Sequence, residues 1–418
     1  MIELLPDELR SLLALAVAEG SARGARVWLV GGVVRDLLLG RSLSSDLDLA
    51  VEGEVGPLAA GLAAATGGRV VAAHAPFGTA TVAAPGAAGP VLLDLARTRV
   101  ERYAHPAALP EVAPAPIEAD LRRRDYSVNA MALELLPEGG ALREGRLLDP
   151  FGGRADLGGG VLRLLHGDSL RDDPTRILRG VRLAARLGME LDAASRAQLE
   201  LALAAGYLGM LTPERVVGEL CLALEEPRPD EALLAADRWG VTPQILAGLA
   251  WGAGLGARCD RLAAGTPGVE GGPLVWAGLL LYELDEAGLA ALAARYPLPG
   301  EAAAMLRQLA PLRRLAPRLA GASNSAIDRL LRPYGAAAIS VLHYAEPTAA
   351  AATARYLSAL RAARPPLDGN DLRRLGVAPG PAMGRLLEEL RAASLDGAVT
   401  TRGEAEAWVL ARVSRGHQ

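Results

Sequence analysis

The chain has 418 residues, 51% of them hydrophobic and only 4% aromatic, with a formal net charge of −4. That length suits about two to four domains with sizeable cores, and the slightly acidic balance excludes a uniformly basic nucleic-acid coat. All 44 basic residues are arginine, whose planar fork suits phosphate.

Cys221 and Cys259 are the only cysteines, and no Cys/His spacing resembles a zinc site. A reducing compartment fits this usage. The N-terminus lacks a cationic stretch followed by a cleavage site. The longest apolar run, residues 274–282, is too short to span a bilayer. These features predict a cytoplasmic protein with no membrane contact.

Residues 3–18 are rich in leucine and alanine at helical spacing. Residues 27–30 read as a buried strand that runs into Gly31-Gly32, followed by a helix over about 33–39 and a strand at 47–51. Residues 57–65 read as a helix ended by Gly67-Gly68. Strands at 69–73, 79–84 and 91–95 follow, with turns at Pro76 and Pro85-Gly86. This pattern predicts a small α/β or α+β unit with a mixed sheet. Pro106, Pro110, Pro114 and Pro116 then argue against any regular element and for a functional loop. Beyond residue 150 the pattern is almost entirely helical. Glycine and proline break it near 206–213, 227–229, 265–273, 297–300 and 365–369.

The chemistry concentrates in four places. Asp46-Leu47-Asp48-Leu49 lies on a strand, so both carboxylates share one face while the leucines pack behind them. Two such carboxylates repel unless a cation lies between them. A hard divalent ion that also carries phosphate is the usual answer. Glycines at Gly31 and Gly32 let backbone N–H groups approach a polyphosphate. Asp94, inside the apolar run Val91-Leu92-Leu93-Asp94-Leu95, is either a third acid of a two-metal site or a strand-end aspartate bonded to backbone.

Arg122-Arg123-Arg124-Asp125-Tyr126-Ser127-Val128-Asn129 offers arginine forks for triphosphate oxygens, and Asp and Asn for ribose hydroxyls. Asp172-Asp173-Pro174-Thr175-Arg176 opens a helix. Asp173 there is either a simple acidic cap or, three residues before Arg176, one half of a base-reading pair. An acceptor beside donors matches cytosine and adenine and mismatches uracil and guanine. Arg176, Arg179, Arg182 and Arg186 form one stripe along that helix, which is either a solvated face or a track for phosphates.

Taken together, these blocks resemble the class II tRNA nucleotidyltransferases, the CCA-adding enzymes and bacterial poly(A) polymerases of the polymerase-β superfamily. Leu148-Asp149-Pro150-Phe151-Gly152-Gly153 and Leu211-Thr212-Pro213-Glu214-Arg215 add two further blocks in the family's order. Asp172 stands where the family usually has Glu, and Tyr126 where it often has Phe. The resemblance implies an α+β fold: a polymerase-β-like nucleotidyltransferase head with a small mixed sheet, then all-helical neck, body and tail. The expected bounds are 1–140 for the head, 141–205 for the neck, 206–300 for the body and 301–418 for a tRNA-binding tail.

It further implies that Asp46 and Asp48 bind Mg²⁺; Asp94, read from its place in the strand, joins them as a candidate catalytic acid. Gly31, Gly32, Arg35, Arg124, Asp125, Asn129, Asp173, Arg176 and Arg179 would hold the nucleotide, and Arg182 and Arg186 the RNA. The implied partners are tRNA, ATP and CTP. The implied activity is addition of CMP and AMP to the tRNA 3′ end without a nucleic-acid template. The loop over about 97–117 is full length, as in relatives that switch from C to A, and disfavours CC-only activity. An A-adding enzyme with a separate CC-adding partner, a poly(A) polymerase and a catalytically silent RNA-binding module are the alternatives.

Overall fold

Alternating apolar residues build a seven-stranded sheet in the first part of the chain. The structure, a computed structural model, describes residues 1–41, 46–246 and 254–415, with Asp46 and Arg415 by their backbone alone. The strands are β1 (Arg26–Val30), β2 (Asp46–Glu52), β3 (Arg69–His74), β4 (Thr79–Ala84), β5 (Val91–Arg97), β8 (Ala132–Glu138) and β9 (Ala141–Leu148). The intervening β6 (Arg99–Arg102) and β7 (Glu111–Pro114) form a separate hairpin. The sheet order is β3-β4-β5-β2-β1-β8-β9, with β2 and β5 parallel and every other pair antiparallel.

One sheet face is dry. Leu47, Leu49, Val51, Val82, Leu93 and Leu95 point from it into a core shared with α1 (Asp7–Ser21) and the helix Val55–Thr66. The other face is covered only in part. There Trp28, Val30, Ala50 and Ala132 pack against Ile117 and Leu121. Glu52 fixes that cover, because its Oε1 accepts from the Ile117 N–H at 2.8 Å. The uncovered remainder of this face carries Asp48 and Asp94.

The helices of this region are α1, α2 (Gly32–Leu38), α3 (Val55–Thr66), α4 (Ile117–Arg122), α5 (Gly153–Gly159), α6 (Ser169–Asp172), α7 (Thr175–Leu187) and α8 (Ala193–Ala204). Two expectations need correction. The proline-rich stretch is not devoid of regular structure, since β6 and β7 pair from Arg99–Pro114 to Arg102–Glu111. Pro106 and Pro110 sit in the connection and Pro114 at a strand end, where no ladder N–H is lost. The sheet also continues past residue 140, because β8 and β9 form a hairpin that turns at Gly139-Gly140.

Helix α7 approaches the body of this unit more closely than a side chain would allow. A Cβ at Gly180 would lie 2.0 Å from the Tyr126 hydroxyl oxygen and 2.7 Å from its Cζ. The hydroxyl uses that notch to donate to the Arg176 carbonyl at 2.9 Å. Gly180→Ala is therefore expected to destabilise this unit by about 1–3 kcal/mol through overpacking. Thermal unfolding followed by circular dichroism measures the loss.

The chain divides into two compact units, residues 1–212 with 235–245, and residues 213–234 with 246–418. The second unit is helical throughout its described residues. It has one core around Trp276, Leu279, Leu309, Ile339 and Tyr344 and a smaller one around Leu372, Leu390, Val399 and Val409. Among the described residues no helix is long and apolar enough to cross a membrane.

Candidate active site

Parallel pairing of β2 and β5 sets Asp48 directly opposite Asp94, and Asp46 opposite Leu92. Residues paired in register project to the same face, so the two aspartates emerge side by side, both exposed. Asp46, two residues before Asp48, is the other acid that the sequence places on this strand. Its side chain lies outside the described residues. Asp94 is held by a neighbouring strand, since Thr81 Oγ1 donates to its Oδ1 at 2.5 Å. This is not the backbone-bonded aspartate of the simpler reading. No group of three acidic, histidine or cysteine side chains able to hold a metal occurs among the described residues, which exclude the Asp46 carboxylate. The Asp48/Asp94 pair supplies hard, exposed oxygen donors of the kind Mg²⁺ takes.

The glycine pair enters α2 beside this face. Gly31 adopts φ +69°, and a Cβ there would meet Arg124 Nη1 at 3.0 Å. Its N–H donates to the Met131 carbonyl at 3.3 Å. The first and second motifs thus touch at Gly31, and a side chain would separate them.

Arg35 differs from expectation. It is only 3% exposed. Its Nε and Nη2 donate to the two Asp36 carboxylate oxygens at 3.0 Å each, and its Nη1 to Asn129 Oδ1 at 2.7 Å. Asn129 Nδ2 in turn donates to Asp125 Oδ1 at 3.1 Å, and Arg179 Nε donates to Asp125 Oδ2 at 2.8 Å. One chain of hydrogen bonds, buried at its centre and ending on the exposed Arg179, therefore runs from α2 to α7. Burial pushes the Asp125 carboxyl up, but Arg179, the Tyr126 N–H and Asn129 outweigh it and hold it below the usual range. Arg35 is committed within this chain rather than presented to a ligand.

The arginine triplet is likewise organised from within. Asp120 is 1% exposed. It accepts from Arg123 Nε at 2.9 Å and Arg124 Nη2 at 3.0 Å. Burial raises its carboxyl, and Arg124 and Arg123 more than reverse that. Arg123 Nη1 also reaches Glu101 Oε1 of the β6–β7 hairpin at 3.0 Å. Glu101 further accepts from Arg99 and from the Tyr103 hydroxyl.

At the start of α7, Asp173 Oδ1 accepts from the Thr175 N–H at 3.1 Å and hydroxyl at 2.6 Å. Asp173, one residue outside the N-cap position that Pro174 occupies, thus ties down the first turn of α7 through Thr175. Arg176 is 4% exposed and donates to Ser169 Oγ at 2.7 Å and to the Arg123 carbonyl at 2.6 Å. The stripe along α7 is not uniform: Arg176 is buried, Arg182 half-buried, and Arg179 and Arg186 exposed. A cavity of about 270 Å³ opens beside Arg176, walled by Glu101, Tyr103, Arg122, Arg123, His166 and Asp172. Tyr103 and His166 are not legible as site residues in the sequence, because no motif flanks them. Asp120 carries a weak signal, as an acid just before three arginines.

Known proteins resemble this chain in sequence and in fold. The model of the poly A polymerase head domain matches residues 27–163. A CC-adding tRNA nucleotidyltransferase of Deinococcus radiodurans is 38% identical over 90% of this chain and 86% of its own. An A-adding tRNA nucleotidyltransferase of Halalkalibacterium halodurans is 38% identical over 65% of this chain and 61% of its own. A solved Thermotoga maritima CCA-adding enzyme in complex with tRNA superposes with a TM-score of 0.73 at 28% identity, covering 99% of this chain and 97% of that one.

Proposed function

The chain belongs to the tRNA nucleotidyltransferase family, and from that premise we propose that it adds CMP and AMP, taken from CTP and ATP, to the 3′ end of tRNA in the cytoplasm. The observation that carries this reading is the in-register pair of Asp48 and Asp94 on an open sheet face, in the same compact unit as the Asp173–Arg176 segment. Asp46 and Asp48 would hold Mg²⁺, which when bound would activate the 3′-hydroxyl and offset the charge of the leaving pyrophosphate, with Asp94 beside them as the third acid that helps to take the proton. Thr81 keeps Asp94 aimed along the face. The Gly31-Gly32 turn and Arg124 present N–H donors to the triphosphate. Asp125 and Asn129, locked by Arg35 and Arg179, set the ribose. Asp173 and Arg176 present the acceptor and donors that suit cytosine and adenine. The helical remainder, divided as body and tail, grips the tRNA. Arg182 and Arg186 extend that grip along α7.

The intact β6–β7 hairpin, tied through Glu101 to Arg123, supports addition of all three nucleotides. A second reading, CC addition alone, is favoured by the Deinococcus relative, which matches along 90% of the chain. Addition of A alone, with a separate CC-adding partner, follows the Halalkalibacterium relative.

Purified protein with Mg²⁺ separates these on three tRNA transcripts, ending at the discriminator base, after the first C and after CC. Extension of all three to CCA, and no further, is the expected result, and chelation by EDTA abolishes it. Products stopping at CC would establish the second reading. A single A added only to the CC-ended tRNA would establish the third. Long A tails on any RNA would make the protein a poly(A) polymerase.

A further inference from the structure

The cavity beside Arg176 contains a residue that the scheme above does not use. His166 lies just upstream of α6 and is half-buried on the cavity wall. Most of the polar lining is already satisfied. Arg176 Nη1 and Nη2 are held by Ser169 and the Arg123 carbonyl, which leaves its other N–H groups for the base, while Arg123 is engaged by Asp120 and Glu101, and Tyr103 by Glu101. The His166 imidazole makes no hydrogen bond among the described residues; its backbone carbonyl is engaged, by the Ser169 N–H at 3.2 Å. Half-buried on the wall, the ring keeps its donor and acceptor available to a ligand that enters the cavity.

We propose that His166 is a specificity-determining residue that hydrogen-bonds the base of the incoming nucleotide in this cavity. The inference rests on the nucleotidyl-transfer reading above. Three features identify a base as the ligand part. At about 270 Å³ the cavity is smaller than the ~300–1,000 Å³ typical of pockets for whole drug-sized ligands, so it takes a fragment of a nucleotide. The Tyr103 ring, Val100 and Ala119 give it apolar walls for a flat ring. Arg123 at its edge is already engaged by Asp120 and Glu101, and Glu101 and Asp172 add carboxylates to the lining, which disfavours a triphosphate there.

Burial and then Arg176 push the imidazole below its ordinary pKa, against the opposing pull of Asp172 and Asp168. It is therefore neutral at pH 7 and offers one donor and one acceptor. No partner within the described residues fixes its tautomer. One residue can thus serve two different bases.

The test measures kcat and KM for CTP, ATP, UTP and GTP on CC-ended and discriminator-ended tRNA, with wild type, His166→Ala and His166→Gln. His166→Ala is expected to lower kcat/KM for CTP and ATP by about 5–10-fold, mainly through KM. The CTP/UTP and ATP/GTP ratios fall with it. His166→Gln, which keeps a donor and an acceptor, retains most of both ratios. Wild-type ratios in His166→Ala would overturn the proposal. So would an equal loss for all four nucleotides in both variants, since that is the signature of a structural role. Wild-type protein that incorporates no nucleotide would instead remove the reading underneath.

Discussion

Asp48→Ala is expected to lower nucleotide incorporation by about a thousandfold or more, while tRNA binding stays within about twofold of wild type. The carboxylate is exposed on the open sheet face, directly opposite Asp94. Leu47 and Leu49 on either side of it are 1% exposed and carry the packing of that strand. Removing the Asp48 side chain therefore leaves no cavity and costs the fold little. What disappears is negative charge at the position proposed to hold the metal. Single-turnover kinetics and filter binding, run on the same preparation, check both halves. A fall in tRNA binding as large as the fall in rate would mean that Asp48 is a structural residue. Asp94→Ala is expected to cost less, because a residue that assists one proton contributes about 10²–10⁴-fold.

Asp173→Asn is expected to erode the preference for CTP over UTP by about 100-fold or more, with a much smaller effect on stability. Sites built to hydrogen-bond a base edge can reject mismatched ligands by about 10⁴–10⁵, since mismatched buried groups stay unpaired. Asparagine keeps the Oδ1 that accepts from the Thr175 N–H and hydroxyl, so the start of α7 stays tied down. The other side-chain terminus changes from acceptor to donor. A donor there suits the carbonyl of uracil or guanine better than the amine of cytosine or adenine. Arg176 remains pinned by Ser169 and the Arg123 carbonyl, so the geometry of the reading segment is unchanged. Rates of single-nucleotide incorporation with each of the four triphosphates give the ratio directly. Unchanged discrimination, with the thermal midpoint also unchanged, would confine Asp173 to holding that turn.

Local periodicity makes much of this molecule readable from the order of its residues. The alternation Asp46-Leu47-Asp48-Leu49 places two acids on one strand face, because successive side chains of a strand point to opposite sides. Asp173 and Arg176 are neighbours through a local turn, in which the Arg176 N–H donates to the Asp173 carbonyl at 3.1 Å. The strand–glycine pair–helix order at 26–38 is equally plain. In each case the controlling interactions lie within one or two turns of chain.

Long-range pairing decides the rest. That Asp94 stands beside Asp48 depends on the register of β5 against β2, and no residue near Asp94 encodes that choice. The hairpin in the Pro-rich stretch is tied to α4 and the residues after it, where Asp120 accepts from the Arg99 N–H and Glu101 accepts from Arg123. Arg35, which reads as a phosphate binder in its motif, is instead consumed by Asp36 and Asn129 once the second motif folds over it. His166 acquires a meaning only because α7 and the hairpin close a cavity around it. Which charges meet, and which remain for a ligand, follows from contacts between residues far apart in the chain. Desolvation and pairing in the folded unit settle those contacts, and local spacing does not contain them.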